Sequence, residues 1–207
     1  MSLSPLWLAP APLVLASGSA ARAQLLASSG ISFEVIKPQV DERALETPLM
    51  AAGATPLDVA LELAKAKACQ VSAAWPGRLV LGSDQVLDLE GRLLSKPQGY
   101  AGAQQHLHWL SGKTHRLYSA AILARDGEVV AQMQDHASLT MRVLDEAFIE
   151  AYLMAAGDVV LGSVGAYQIE GLGQHLFADI QGHHATIMGL PLLALLSELR
   201  ALKMLRG

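Results

Sequence analysis

The chain has 207 residues, of which 52% are apolar and 16% charged, and its net charge is −4 at pH 7. That balance suits a folded enzyme, argues against a disordered segment, and leaves no global basic field for nucleic-acid backbones or anionic membranes. A single cysteine, Cys69, excludes an internal disulfide and fits a reducing compartment.

The N-terminal stretch "PLWLAPAPLVLASGSA" has the apolar core and small residues of a signal peptide. No Lys or Arg precedes Arg22, however, and three prolines interrupt the run. A buried strand over Leu13–Ala16 is the better reading. No apolar run is long enough to span a bilayer, so the expectation is a cytoplasmic protein. "SAARAQLLASSG" then reads as a short helix closed by Gly30, and "SFEVIKPQV" as a second strand running into the polar "DER". Thr55 as cap, Pro56 at the first helical position and Asp58 start a helix that runs to Trp75. "RLVLGSDQVLDLEGRLLSKP" predicts a strand, a tight turn at Glu90-Gly91 and a returning strand. "YAGAQQHLHWLSG" is helical. "HRLYSAAILAR" and "VVAQMQDHASLTMRVL" are strands split by "DGE". "DEAFIEAYLMAAG" is a helix stopped by Gly157, and "LPLLALLSELRALKML" is a terminal helix. Hairpins among helices predict an α/β fold with a mixed, twisted sheet flanked by helices, in a single domain over residues 1–207.

Four places invite chemistry. In "ASGSAAR", Ser17, Gly18 and Ser19 join a strand directly to a helix, whose N-terminal amides favour a phosphate; Arg22 in the first turn could add its fork. An ordinary serine cap explains the same residues. Asp84 falls inside an otherwise apolar strand, so it must be paired, protonated or metal-bound. Gly82, two residues earlier, allows a bulge or a close backbone approach. The returning strand brings Lys96 toward Asp84, as a catalytic pair or as a half-exposed ion pair. "VDER" places Asp41 and Glu42 at a strand end, either to hold a hard divalent cation or as a solvated acidic loop. Lys67, taken alone, reads as a surface lysine.

Other signals fail on spacing. "SGKTH" resembles the end of a phosphate-binding P-loop, but the glycine that loop needs five residues before Gly112 is Leu107. His106 and His108 point to different faces of one helix and make a poor metal pair. His183 and His184 lack zinc-site spacing and read as histidines in a hairpin turn.

Together, "LVLASGSAARAQLL", "VDER", "ELAKAKA", "VLGSDQVLDLEGRLLSKP", "LSGKTHRLYSAAIL", "GAYQIEGLGQHLF" and "IMGLPLLAL" resemble, in order and spacing, the Maf family of nucleoside triphosphate pyrophosphatases. The resemblance runs from about Leu13 to Leu195. It implies an α/β fold related to the inosine triphosphatases, with two lobes around a central cleft. It also implies a divalent metal (Mg²⁺, Mn²⁺ or Co²⁺), a cytoplasmic homodimer, and cleavage of a nucleoside triphosphate to the monophosphate and pyrophosphate. By position it makes Asp84 the catalytic proton acceptor, with Glu42, Lys67 and Lys96 as further catalytic residues. Glu42 and Asp84 become the metal ligands, and Ser17, Ser19 and Arg22 the phosphate-binding turn.

The family turn usually has proline where this chain has Ala20, and Ala21 occupies a position tied to substrate choice. Gln85 and Glu170 match the other two selectivity positions and resemble the 7-methyl-GTP branch. A Glu170 carboxylate can accept from the N–H groups of a guanine edge and would repel the carbonyls of thymine or uracil. Ala21 in place of an aromatic residue weakens stacking on a methylated base. The expectation is therefore a guanine-type or broad substrate range. The competing expectation is a nucleotide-binding regulator of septum formation that needs no turnover.

Overall fold

The computed structural model describes residues 4–207. Its sheet has seven strands: β1 (Leu13–Ala16), β2 (Phe33–Val35), β3 (Val80–Leu89), β4 (Arg92–Leu94), β5 (Thr114–Arg125), β6 (Glu128–Met141) and β7 (Phe177–Gln181). The order is β2-β1-β3-β5-β6-β7, with β4 paired to β3. β1 lies parallel to both β2 and β3, whereas β4 on β3 and β7 on β6 are antiparallel. The mixed α/β sheet expected from the hairpins is present. Among the described residues no helix is long and apolar enough to cross a membrane.

The chain divides into two compact units. The first runs to Gln85 and adds Ser119–Asp135 and Gly189–Gly207. It holds β1, β2, the start of β3 and the helices α1 (Ala20–Ser28), α2 (Glu42–Ala51) and α3 (Pro56–Ala74). All four residues of β1 are buried, and Val14, Ala16, Val71 and Val80 form a core against which Ile36 packs. α3 starts as its sequence requires: Thr55 and Asp58 form a reciprocal capping box with Pro56 inside the first turn.

The second unit comprises Val86–Tyr118 and His136–Met188. It carries α4 (Gly99–Leu110), α5 (Glu146–Ala156) and three 3-10 turns over Gly157–Gly162, Val164–Ala166 and Leu172–Leu176. The four-residue α6 (His184–Ile187) also belongs to it, and α7 (Leu192–Ala201) returns the chain to the first unit. His115 Nε2 lies 2.7 Å from the Tyr167 hydroxyl, and the Tyr167 and Phe177 rings meet edge to face. Burial pushes the His115 imidazole down to about 4, so this is a neutral core histidine.

Several boundaries differ from expectation. The second strand is only Phe33–Val35, and "DER" does not continue a loop: Asp41 caps α2 by accepting from Ala44 N at 3.1 Å. His183 and His184 start α6 rather than occupying a hairpin turn. The turns at Glu90-Gly91 and Asp126-Gly127 both have two successive positive φ angles, the geometry of tight two-residue hairpins.

Candidate active site

The buried aspartate finds its cation on a helix. α3 turns Ala60, Leu63, Ala64, Lys67, Ala68 and Val71 into one buried face, and Lys67 lies on that face rather than on the surface. Its stripe meets β3 where β3 has no side chain. A Cβ on Gly82 would lie 2.6 Å from Ala68 N and 2.8 Å from Ala68 Cβ, and would also strike the Ala64 carbonyl. The close backbone approach expected at Gly82 is therefore an approach of α3. It lets Lys67 Nζ reach Asp84 Oδ1 at 2.5 Å, with both side chains under one-tenth exposed. The same ammonium takes Glu42 Oε1 at 2.6 Å, from the first residue of α2, where a carboxylate also favours the helix N-terminus. The Glu42 side chain stays 56% exposed, so the paired charges have an open side toward solvent.

Burial raises the Asp84 carboxyl above the usual carboxylate range; Lys67 and Arg22 pull it back and Glu42 adds a smaller upward push. Arg22 is itself buried, and that burial lowers its pKa while Asp84 and Glu42 raise it. Its donors are largely committed: Nε to Gly189 O at 2.8 Å, Nη1 to Ser83 O at 2.8 Å and to Ser17 Oγ at 3.1 Å. Arg22 thus ties three chain segments together beneath the first turn. Gly189 makes room for it: φ is +95°, and a Cβ there would lie 3.2 Å from the guanidinium. Ser83 Oγ lies 2.7 Å from Ala120 O and 3.0 Å from the same Gly189 carbonyl.

In the turn itself, Ser19 is the N-cap of α1, accepting from Arg22 N at 3.4 Å. Ser17 Oγ accepts from Ser19 N and from Arg22 Nη1, which uses its two lone pairs and leaves its O–H as a donor. α1 then opens on the amides of Ala20 and Ala21, ahead of the one taken by the cap. Ser17, Ser19, Arg22, Lys67, Glu42 and Asp84 all lie in the first unit, with Ser17 and Ser19 just beyond the carboxyl end of β1, the end at which open α/β sheets bind ligands.

The remaining sequence candidates fall as follows. Ala21 is half-buried in the first turn of α1. Gln85 donates from Nε2 to Ser119 Oγ at 3.0 Å. Lys96 and Glu170 belong to the second unit, both exposed, with Lys96 two residues beyond the end of β4. Two structural members were missed, Ser83 and Gly189. "IMGLP" carried the signal for Gly189, because a glycine before Leu-Pro with positive φ marks a backbone that must leave space. Nothing local marked Ser83.

The Maf-like protein family model matches residues 12–202, and the chain belongs to that family. A nucleoside triphosphate pyrophosphatase of Nitrobacter hamburgensis is 50% identical over 196 residues, 94% of this chain and 96% of that protein. A 7-methyl-GTP pyrophosphatase of Mesorhizobium japonicum is 51% identical over 195 residues, 94% of this chain and 98% of its own. One of the same name from Brucella abortus is 50% identical over 195 residues with the same coverage.

Proposed function

We propose that the chain is a nucleoside triphosphate pyrophosphatase, hydrolysing its substrate to the monophosphate and pyrophosphate. The observation that carries this reading is the buried Asp84 carboxylate. It is held against Lys67, shared with a partly exposed Glu42, beside a helix start that offers anion donors. A module that only bound phosphates would need the cations and would gain little from two carboxylates. The names of relatives at about half identity support the same activity.

Asp84 accepts a proton from the attacking water as its oxygen bonds to the α-phosphorus. The bond from that phosphorus to the oxygen bridging to the β-phosphate breaks, and pyrophosphate departs with the electron pair. The upward push of burial makes Asp84 a stronger base than a solvated carboxylate, which helps a proton acceptor. Lys67 holds Asp84 and Glu42 in place, while the Ser17 hydroxyl and the first amides of α1 face phosphate oxygens. Lys96 is proposed as a further cation for the substrate.

A divalent cation fits this donor set. Glu42 and Asp84 each give one carboxylate oxygen to Lys67 and keep the other as a hard oxygen ligand, so these two residues would hold the ion beside the ammonium. Among the described residues no group of three or more His, Cys, Asp or Glu side chains is placed to hold a metal, so substrate phosphates would complete the shell. When bound, such an ion would offset phosphate charge and polarise the P–O bonds.

Glu170 and Gln85 favour a guanine-type base and Ala21 broadens the choice, so a guanine-type or broad range is proposed, in a cytoplasmic homodimer. A panel of GTP, 7-methyl-GTP, dTTP and UTP with Mg²⁺, Mn²⁺ or Co²⁺, scored by pyrophosphate release, tests this. Guanine nucleotides should lead. If dTTP and UTP outpace every purine, the reading of Glu170 fails; if no triphosphate yields pyrophosphate, a binding regulator replaces the enzyme.

A further inference from the structure

The charges of the candidate site cancel. Arg22 and Lys67 face Asp84 and Glu42, and both cations are already engaged by protein oxygens. A nucleoside triphosphate carries about four negative charges and a divalent ion offsets about two, so a binding site needs cations that are not spent internally. One lies beside the turn. Lys37 Cγ, Cδ and Cε stand 3.8, 3.9 and 3.8 Å from where a Cβ on Gly18 would be, so the lysine stem runs along the bare backbone between Ser17 and Ser19. Among the described residues Lys37 has no carboxylate partner.

Its backbone is pinned on both sides. Ile36 N donates to Leu15 O at 3.0 Å, and Ile36 packs on the core. Two residues beyond Lys37, Gln39 N donates to Gln70 Oε1 at 2.7 Å while Gln70 Nε2 returns a bond to Gln39 O at 2.9 Å. A long side chain launched from a fixed segment loses less freedom on meeting a ligand than one from a free loop. Strand order sets its distance from the reacting carboxylate. Lys37 follows β2 and Asp84 sits on β3, with β1 between them. Two strand spacings are roughly 10 Å, so Lys37 is on the side of the Ser17–Ser19 turn away from the reacting carboxylate.

We propose that Lys37 is a phosphate-binding residue that holds the departing pyrophosphate portion of the substrate across Gly18. This rests on the pyrophosphatase reading above and adds to it a contact that none of the motifs supplied.

The test compares wild type, Lys37→Gln and Lys37→Arg. Inorganic pyrophosphate with Mg²⁺ and a nucleoside monophosphate are titrated separately by calorimetry, and KM and kcat are measured for GTP. Lys37→Gln should weaken pyrophosphate binding and raise KM by roughly tenfold, the scale of one lost charge-assisted bond, with monophosphate affinity unchanged and Arg restoring most of the loss. Unchanged pyrophosphate binding, or a loss confined to the monophosphate, overturns the assignment. If wild type turns over no triphosphate, the enzyme reading fails by itself, and the pyrophosphate titration still decides the role of Lys37.

Discussion

Lys67 balances two carboxylates from a position with almost no solvent, and this makes it the most consequential side chain of the site for stability. An exposed pair such as Lys113–Glu90 contributes little in high dielectric. A buried carboxylate deprived of its cation is a different matter, since the cost of its desolvation then stands uncompensated. Lys67→Met keeps the stem and removes the charge. Urea denaturation at pH 7 should show a loss of about 3 kcal/mol. The sign with pH follows from Asp84. Its folded pKa is already raised and rises further without Lys67, so the deficit is fully present above that pKa and shrinks as acid protonates the carboxyl. A deficit that is absent at pH 7, or that grows on acidification, would show that Lys67 does not compensate Asp84. This lysine was readable from sequence by period alone, because it falls on the Ala60, Leu63, Lys67, Val71 stripe. Residue type alone suggests a surface lysine, whereas the family resemblance and the helix period both place it at the site.

At the scale of elements, the site depends on α3 lying directly on β3, and Gly82 permits that contact. Gly82→Ala places a methyl against Ala68 and the Ala64 carbonyl, so helix and strand must part. The expected result is a loss of about 1–3 kcal/mol in denaturant midpoint experiments, with lower turnover because Lys67 and Asp84 separate. A variant as stable and active as the parent would mean the close approach is not needed. The elements that carry this geometry were legible: β1, the capped α3 and the β3–β4 turn each have a strong local signal. Three sets of elements were not, for physical reasons. α2 has no buried residue and contains Pro48, so it shows no apolar stripe to separate it from a polar loop. β7 has one half-buried residue followed by four exposed ones, which erases strand alternation. The 3-10 turns between Gly157 and Leu176 are too short for any period.

At the scale of the whole molecule, the residues that meet in the first unit come from sequence positions 17 to 189, and no local pattern predicts that convergence. The family resemblance anticipated Asp84, Glu42, Lys67 and Arg22 as a set. The structure adds what holds them together: Arg22 on the Ser83 and Gly189 carbonyls, and Lys67 across both acids. A buried carboxylate, its cation and the anion donors of a helix start, gathered in one unit, are what the proposed attack on a bound polyphosphate requires. Asp84→Asn is the most direct probe, because it keeps the shape of the side chain and removes its basicity. With Mg²⁺ and GTP, pyrophosphate release should fall by about two to four orders of magnitude, the usual contribution of a general base, while pyrophosphate binding and cooperative unfolding persist. Release at the wild-type rate from that variant would contradict the account at its centre.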